Sequence, residues 1–193
     1  RNDPNVPLVQ LQMKQPIAMP AGGRFVTFSV AMAAMSCKGN SVDPAVDFYL
    51  IQDVTGNTSD LSTSNSNLIK LNNTPANPCS DPTATSYGSI KAAQVFGDKP
   101  LLYTGSSVAM QFVNRSSATN GNDGAFDKIQ ILDVTPQLDK TYATGTTPLA
   151  NGGTTTLTFT VTNTPELAEK SGWSLADTLP VGLTVAATPN LKN

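Results

Sequence analysis

The sequence predicts an all-β protein built as a β-sandwich, and three observations support this class. Thr, Ser and Asn together supply 56 of the 193 residues, while Gly and Pro supply 14 each. Such a composition is typical of short strands joined by turns. Several segments alternate apolar and polar residues with a period of two. No segment carries a sustained apolar stripe with the 3.6-residue period of a helix.

The alternation predicts the strands in chain order. The strongest early signal is at residues 24–32, where Val26 and Phe28 alternate with Thr27 and Ser29. In the next strand Val46, Phe48 and Leu50 are expected to face one way. The predicted strands cover residues 24–32, 45–51, 67–71, 89–95, 101–103, 107–114 and 127–134. The polar stretch 53–67 is interpreted as a solvated loop, with a ligand-contacting loop as the alternative.

A change in composition near Pro136 predicts a domain boundary. After it Thr becomes more frequent, Cys and Met disappear, and residues 154–163 form the clearest strand signal of the chain. Residues 1–136 carry about eight short strands, which favours a jelly-roll-type β-sandwich. Residues 137–193 carry Thr/Val strands with the spacing of a partial Ig-like β-sandwich.

Charge and composition argue against several functions. The chain has no histidine and a net charge of −2. Catalysis by Ser-His-Asp or Cys-His groups and zinc sites with imidazole ligands are therefore excluded. The charge balance does not favour binding to a phosphate backbone. No apolar run reaches the length needed to cross a bilayer, so no membrane insertion is expected.

The two cysteines, Cys37 and Cys79, are expected to form a disulfide. They lie 42 positions apart, and neither belongs to a CxxC motif. The alternative is two unrelated buried thiols. A disulfide would place the chain in an oxidising compartment.

The C-terminal part resembles the Ig-like repeats of large bacterial (Gram-positive-type) surface proteins. The resemblance rests on a first strand with Lys140, on the Thr-rich strand 154–163, and on the motif D-T-L-P-x-G-L-x-V at residues 177–185. It implies a secreted or cell-wall protein, usually a stalked adhesin. An Ig-like domain has about seven strands. The repeat is therefore expected to be incomplete here, either by truncation or because a strand from another chain completes it.

The N-terminal part resembles, through shorter motifs, the galactose-binding-like jelly rolls of such proteins and of carbohydrate-binding modules. The carrying segments are residues 25–30, 47–50 and 122–131. In those modules an acidic residue of the last strand, matched here by Asp127, helps to hold a structural calcium ion. Calcium binds six to eight oxygen ligands. The predicted calcium ligands are Asn120, Asn122, Asp123 and Asp127, and a polar hairpin loop without metal is the alternative.

Related surface repeats often contain an isopeptide bond between a strand lysine and an Asn or Asp, promoted by a buried acid. The resemblance puts Lys140 in the lysine position and Asp177 in the acid position. The acceptor would belong to the missing strand, so this chain is not expected to form the bond. The alternative is that Lys140 is a solvated edge residue and Asp177 caps a turn.

Aromatic, amide and charged side chains near strand ends are the candidates for ligand contact, because sugars stack on planar rings and hydrogen-bond to amides. They are Tyr49, Tyr87, Tyr103, Asn114 and Arg115. Each also has a structural interpretation. Asp43 and Asp47 are candidates for a glycosidase pair, but they flank Pro44 and fit a turn and a strand edge better, so no enzyme is expected.

These observations predict a fragment of an extracellular bacterial surface adhesin. Its head would bind a glycan or a host or surface protein, and it would belong to a longer protein. The alternatives are a structural surface-layer or fibre subunit that assembles by strand complementation, and a carbohydrate-binding module cut from a hydrolase.

Overall fold

The computed structural model describes residues 8–35, 37, 43–52, 67–116, 123–143, 150–165 and 168–189. These residues form twelve β-strands and no helix. The strands are β1 (Leu8–Gln12), β2 (Ile17–Ala18), β3 (Arg24–Met35), β4 (Val46–Gln52), β5 (Leu68–Lys70), β6 (Thr85–Tyr87), β7 (Ile90–Phe96), β8 (Leu101–Tyr103), β9 (Ser107–Asn114), β10 (Gly124–Asp133), β11 (Gln137–Tyr142) and β12 (Leu157–Thr162). The predicted all-β class is confirmed.

The first ten strands form two antiparallel sheets that face each other as a β-sandwich. Sheet 1 has the order β1-β9-β4-β5, and β2 joins β9 beyond β1. Sheet 2 has the order β10-β3-β7-β6, and β8 pairs with β3 beside β7. All the ladders are antiparallel, and the long strands β3, β4 and β9 are the inner strands of their sheets.

The alternation of the sequence determines which side chains enter the core. Val46, Phe48 and Leu50 point inward as predicted, opposite inward residues of β3 such as Phe28. Phe28 stacks on Phe48 across the two sheets, and Phe48 meets Phe112 edge-on with ring centroids 4.4 Å apart. These apolar side chains are almost fully removed from water. Their burial is the main favourable contribution to the stability of the sandwich.

Seven predicted strands are present, and three short ones were missed. The bounds predicted for β8 and β9 match the structure, while β3 extends three residues further, to Met35. The missed strands β1, β2 and β6 all pair on one side only, at the edges of their sheets. Such strands are two to five residues long. They are too short for a clear periodic signal, and a long neighbouring strand determines whether they form.

The polar face of β3 is buried as well as its apolar face, which the alternation did not predict. Thr27 and Ser29 are 0% and 3% exposed. Gly97 explains part of this, because its carbonyl accepts a hydrogen bond from Thr27 Oγ1 at 3.0 Å and its amide donates to Phe28 O at 3.0 Å. A Cβ added at Gly97 would lie 2.8 Å from the Phe28 ring. The chain can approach β3 this closely only with glycine at this position.

The C-terminal part forms a separate two-stranded sheet, in which β11 and β12 pair from Gln137 with Thr162 to Tyr142 with Leu157. Residues 168–189 pass alongside without forming a strand. The GLxV part of the resemblance motif, residues 182–185, therefore adds no strand to the described sheet. The motif has no partner strand there, and a strand needs one to form its ladder of hydrogen bonds.

The predicted disulfide is confirmed. The sulfur atoms of Cys37 and Cys79 are bonded, with their Cα atoms 5.5 Å apart. The bond joins the chain just after β3 to the turn that follows Asn77. This turn belongs to the segment that passes from sheet 1 to sheet 2, since Ala76 still pairs with Val46 of β4.

Candidate functional site

The outer face of sheet 2 carries a shallow groove with a volume of about 330 Å³. Its floor consists mainly of alanines on adjacent strands. The register places Ala125, Ala33, Ala92 and Thr85 in one row across β10, β3, β7 and β6. Because an alanine side chain is a single methyl group, this part of the outer face forms a depression. The longer side chains at either end border it.

Polar groups line the groove beside the alanine floor. Asp127, Ala31 and Gln94 form the neighbouring row. The Gln94 amide donates a hydrogen bond to Ser29 Oγ, which fixes the side chain on the face of the sheet. Thr83 and Thr85 add hydroxyl groups at the opposite rim from Asp127. The groove therefore offers a carboxylate, an amide and two hydroxyls around an apolar floor.

Phe126 and Tyr87 are the aromatic residues that line the groove. Phe126 packs against the core, whereas Tyr87 is 65% exposed. Tyr87 pairs with Ile90, which in turn pairs with Met35, so that the three form a row across β6, β7 and β3. Ile90 and Met35 are also partly exposed, at 39% and 48%. Tyr87 is thus the one predicted ligand residue that the structure places with an accessible ring in the groove.

The disulfide holds the loop that forms the threonine rim. Cys79 belongs to a tight turn in which Asn77 Oδ1 accepts a hydrogen bond from the Cys79 amide at 2.8 Å. The next turn is closed by Asp81, whose Oδ1 accepts from the Thr83 amide at 2.8 Å. Lys91 of β7 donates to Cys79 O at 3.0 Å. These bonds connect the rim to the strands of the floor.

A β-bulge follows Asp127 and changes the direction of β10. Asp127 pairs with Ala31 and Gln130 pairs with Ser29, so one extra residue lies between them. Lys128 adopts φ of 49°, a conformation uncommon for residues other than glycine. Its amide donates to Asp127 Oδ1 at 2.7 Å. Bulges of this kind are frequent beside binding sites, because they change the direction of a side chain.

The predicted calcium site is described only in part. Asp123 and Asp127 are exposed at the start of β10, while Asn120 and Asn122 lie outside the described residues. Within the described ranges no three acidic, cysteine or histidine side chains come together in a way that could hold a metal ion. Asp127 lines the groove, and its Oδ1 accepts a hydrogen bond from the Lys128 amide.

Two other predicted ligand residues, Tyr49 and Arg115, meet at Asp47, whereas Asn114 pairs with the inward-facing Val46 at the end of β9. Arg115 Nε donates to Asp47 Oδ2 at 2.7 Å, and its Nη2 donates to the Tyr49 hydroxyl. Tyr49 in turn donates to Asp47 Oδ2 at 3.2 Å. Asn114 Oδ1 accepts from the amides of Ala45 and Ser116, which fixes the chain at the end of β9.

Burial and charge act in opposite directions on Arg115. Desolvation lowers the pKa of the guanidinium. The hydrogen bonds to Asp47 and Tyr49 and the attraction of these two groups outweigh this, so that the pKa lies above its usual value. Arg115 therefore keeps its charge throughout the accessible pH range. Lys70, which the sequence did not single out, completes the cluster with Nζ 2.8 Å from Asp47 Oδ1, an ion pair.

The surroundings of Asp47 and Tyr103 indicate that both residues stabilise the fold. Asp47, the candidate for one half of a carboxylate pair, is 3% exposed between Lys70 and Arg115. Tyr103 is 3% exposed and belongs to the hydrophobic core, and its hydroxyl donates to Ser107 O. The sequence pattern does not separate such a tyrosine from Tyr87, because both end a short strand before a turn.

Lys140 and Asp177 form an ion pair. Lys140 Nζ lies 2.8 Å and 2.9 Å from the two Asp177 oxygens. The hydrogen bond to Asp177 is the main reason why the pKa of Lys140 is raised, against the smaller effect of desolvation. In this arrangement the lysine is charged and is a salt-bridge partner, whereas an isopeptide bond requires a neutral amine.

Sequence reasoning missed Gln94, Thr83, Thr85 and Lys70. A signal for the groove was available, since small residues alternate in β3 (AMAAM) and recur in β7 (KAAQ). Two neighbouring strands that carry alanine at alternate positions indicate a depression on that face of the sheet. Lys70 carried no such signal, because its partner Asp47 lies on another strand.

The fold and these clusters define an antiparallel β-sandwich with an open groove on one sheet and, on the other, a charge cluster around the buried Asp47. Residues 136–193 match a family model described as Domain of unknown function (DUF7933). The comparisons with curated proteins and with solved structures gave no match. In the described part of the chain, no helix has the length and apolar character required to span a membrane.

Proposed function

We propose that the N-terminal sandwich is a non-catalytic adhesion module that binds a glycan in the groove of sheet 2. The proposal places the protein on the outside of a bacterial cell, with the C-terminal part as the start of an Ig-like stalk. The observation that carries it is the exposed ring of Tyr87 beside an alanine floor and several polar groups. The disulfide supports an oxidising environment for such a display.

The groove has the chemistry that a sugar requires. A pyranose ring has an apolar face of C–H groups, which packs on an aromatic ring such as Tyr87. Its hydroxyl groups donate and accept hydrogen bonds, which Gln94, Asp127 and the two threonines can return. The groove is open and shallow, so we expect a weak single-site affinity. Many copies on one cell would multiply it.

The test is a glycan array and a polysaccharide pull-down with the whole chain, run with calcium and with chelator. We expect selective binding that falls about tenfold in Tyr87→Ala, since a loss of about 1.4 kcal/mol is tenfold in affinity. The matched control is Tyr142→Ala, which removes a partly exposed tyrosine of β11. A blank array in both buffers, or unchanged binding by Tyr87→Ala, would refute the proposal.

Calcium dependence is a separate part of the same test. If Asp127 and Asp123 hold a calcium ion, chelator weakens binding in the parent chain and has no further effect in Asp127→Asn. The proposed calcium ion is contradicted if chelator leaves both the binding and the melting temperature of the parent chain unchanged. That result would leave the proposal of glycan binding at Tyr87 unaffected.

A second candidate function, a structural subunit that assembles by strand complementation, rests on the hairpin of β11 and β12. One face of this hairpin carries the cross-strand pairs Leu138–Val161 and Lys140–Phe159, and the other face is polar. Leu138, Val161 and Phe159 remain 46%, 45% and 37% exposed. Light scattering over a range of concentrations tests it. Concentration-dependent oligomers support assembly, and a strict monomer contradicts it.

A further inference from the structure

Two exposed aromatic side chains lie on the outer face of sheet 2, one at each end of the groove. Tyr87 of β6 is 65% exposed and pairs with Ile90. Phe96 of β7 is 50% exposed and pairs with Ser29 of β3. Its neighbour Val95 packs against the core, so the alternation of the strand directs Phe96 to the outer face. The groove therefore has a second accessible ring beyond its polar end.

The strand β7 determines the distance between the two rings. Ile90, in the row of Tyr87, and Phe96 are the first and last residues of β7 and lie six positions apart. A rise of about 3.3 Å per residue separates the two rows by about 20 Å. A disaccharide is too short to reach from one ring to the other, whereas a chain of several sugars is long enough.

The side chains between the two rings are small or polar. Ala92 of the floor follows Ile90 on the same face of β7, and Gln94 lies between Ala92 and Phe96, in the row of Asp127. A protein–protein interface has the reverse arrangement, with an apolar centre and a polar rim. A sugar chain matches the observed order, because each ring combines an apolar face with hydroxyl groups at its edge.

We infer that the ligand of the groove is an extended, unbranched polysaccharide chain, which runs along β7 and contacts Tyr87 at one end and Phe96 at the other. This inference rests on the glycan-binding function proposed for the groove. Both rings contact one molecule, so the second contact forms without a second loss of translational freedom. The affinity should therefore rise with chain length until the chain spans both rings.

The experiment is a calorimetric titration of the whole chain with uncharged, β-linked oligosaccharides of glucose, xylose and N-acetylglucosamine. Each series is supplied as a disaccharide and as a hexasaccharide. We expect one series to bind, with the hexasaccharide about tenfold tighter than the disaccharide.

Phe96→Ala is expected to weaken binding of the hexasaccharide about tenfold and to leave binding of the disaccharide unchanged. The disaccharide is expected to depend on Tyr87 alone of the two rings. Phe96→Tyr keeps an aromatic ring and is expected to retain the tighter binding of the hexasaccharide. The matched control is Phe159→Ala, which removes a phenylalanine that is 37% exposed on the C-terminal hairpin, and it is expected to bind as the parent chain does.

The inference is overturned if the two lengths bind equally, or if Phe96→Ala binds the hexasaccharide as tightly as the parent chain. Disaccharide binding that is lost in Tyr87→Ala would leave the proposed function of the groove supported in either case. Absence of binding in all three series also overturns the inference, and a positive glycan array would then show that the groove binds a glycan of another shape. A failure of the proposed function and a failure of this inference are therefore seen separately.

Discussion

Phe28 of sheet 2 stacks on Phe48 of sheet 1, with ring centroids 3.8 Å apart and ring planes inclined by 18°. Both side chains are 0% exposed. They are 20 positions apart, and no strand ladder joins the two sheets in the described part of the chain. Side-chain contacts of this kind therefore hold the sandwich together. Phe112 extends the same aromatic group along sheet 1.

Replacing Phe48 by alanine is expected to lower the free energy of unfolding by about 3–5 kcal/mol, because it removes a buried ring and leaves a cavity between the sheets. Chemical denaturation followed by circular dichroism measures the change. The matched control is Phe96→Ala, since Phe96 is 50% exposed on the outer face of sheet 2. A loss of less than 1 kcal/mol for Phe48→Ala would contradict the packing described here.

Replacing Gly97 by alanine is expected to destabilise the protein by about 1–3 kcal/mol, the usual cost of adding atoms to a filled core. The new methyl group would meet the Phe28 ring at 2.8 Å. Gly88→Ala serves as a comparison. Its Cβ meets nothing within 4 Å, so any loss there comes from backbone strain at φ of 63° and not from crowding. Thermal unfolding of both variants separates the two causes.

Removal of the disulfide by Cys37→Ser with Cys79→Ser is expected to cost about 4 kcal/mol, from the chain entropy of a loop of this length. The same bond holds the loop that carries Thr83 and Thr85 at the groove. Glycan binding is therefore expected to weaken in the double variant at a temperature where it remains folded. Intact mass with and without reductant verifies the bond, which adds 2 Da on reduction. Unchanged unfolding would contradict the predicted stabilisation.

The salt bridge between Lys140 and Asp177 predicts a dependence on alkaline pH. The pKa of Lys140 is raised above its ordinary value of 10.5, chiefly by the hydrogen bond to Asp177. A raised pKa in the folded protein means that the contribution to stability is complete below pH 10.5 and is lost as the pH rises through the higher, folded value. Asp177→Asn is expected to lose this dependence.

Fluorescence measures this alkaline transition, because Trp173 is the only tryptophan and lies four residues before Asp177. In the parent chain we expect the signal to remain constant up to about pH 10.5 and to change above it. In Asp177→Asn this change is expected to be absent. An identical pH profile for both proteins would show that the salt bridge does not hold this segment.

The sequence predicted the strands of the sandwich where they are long and inner. The alternation in β3, β4 and β9 is strong, because one face of each enters a hydrophobic core. It failed for β1, β2 and β6, which are short and depend on a neighbour for their hydrogen bonds. It also did not predict the buried Thr27 and Ser29, since polar residues on a strand normally mark a solvated face.

The candidate sites could be predicted less well than the fold. Tyr87 and Tyr103 both end a short strand before a turn, yet the first is exposed in the groove and the second is in the core. Tyr49, inside β4, is hydrogen-bonded within the charge cluster. The register between strands decides among these surroundings. A shift of one residue would move each ring to the opposite face of its sheet.

The amino-acid sequence by itself determined the all-β class, the inward faces of the long strands and the pairing of the two cysteines, because periodicity and the number of cysteines are local properties of the chain. Only the tertiary structure decided that Ala33, Ala92 and Ala125 form one floor beside Asp127 and Tyr87, and that Lys70 and Arg115 share Asp47. Each of these groups combines residues from three or four strands. Their meeting depends on strand order and register, which the pattern of a single strand does not contain.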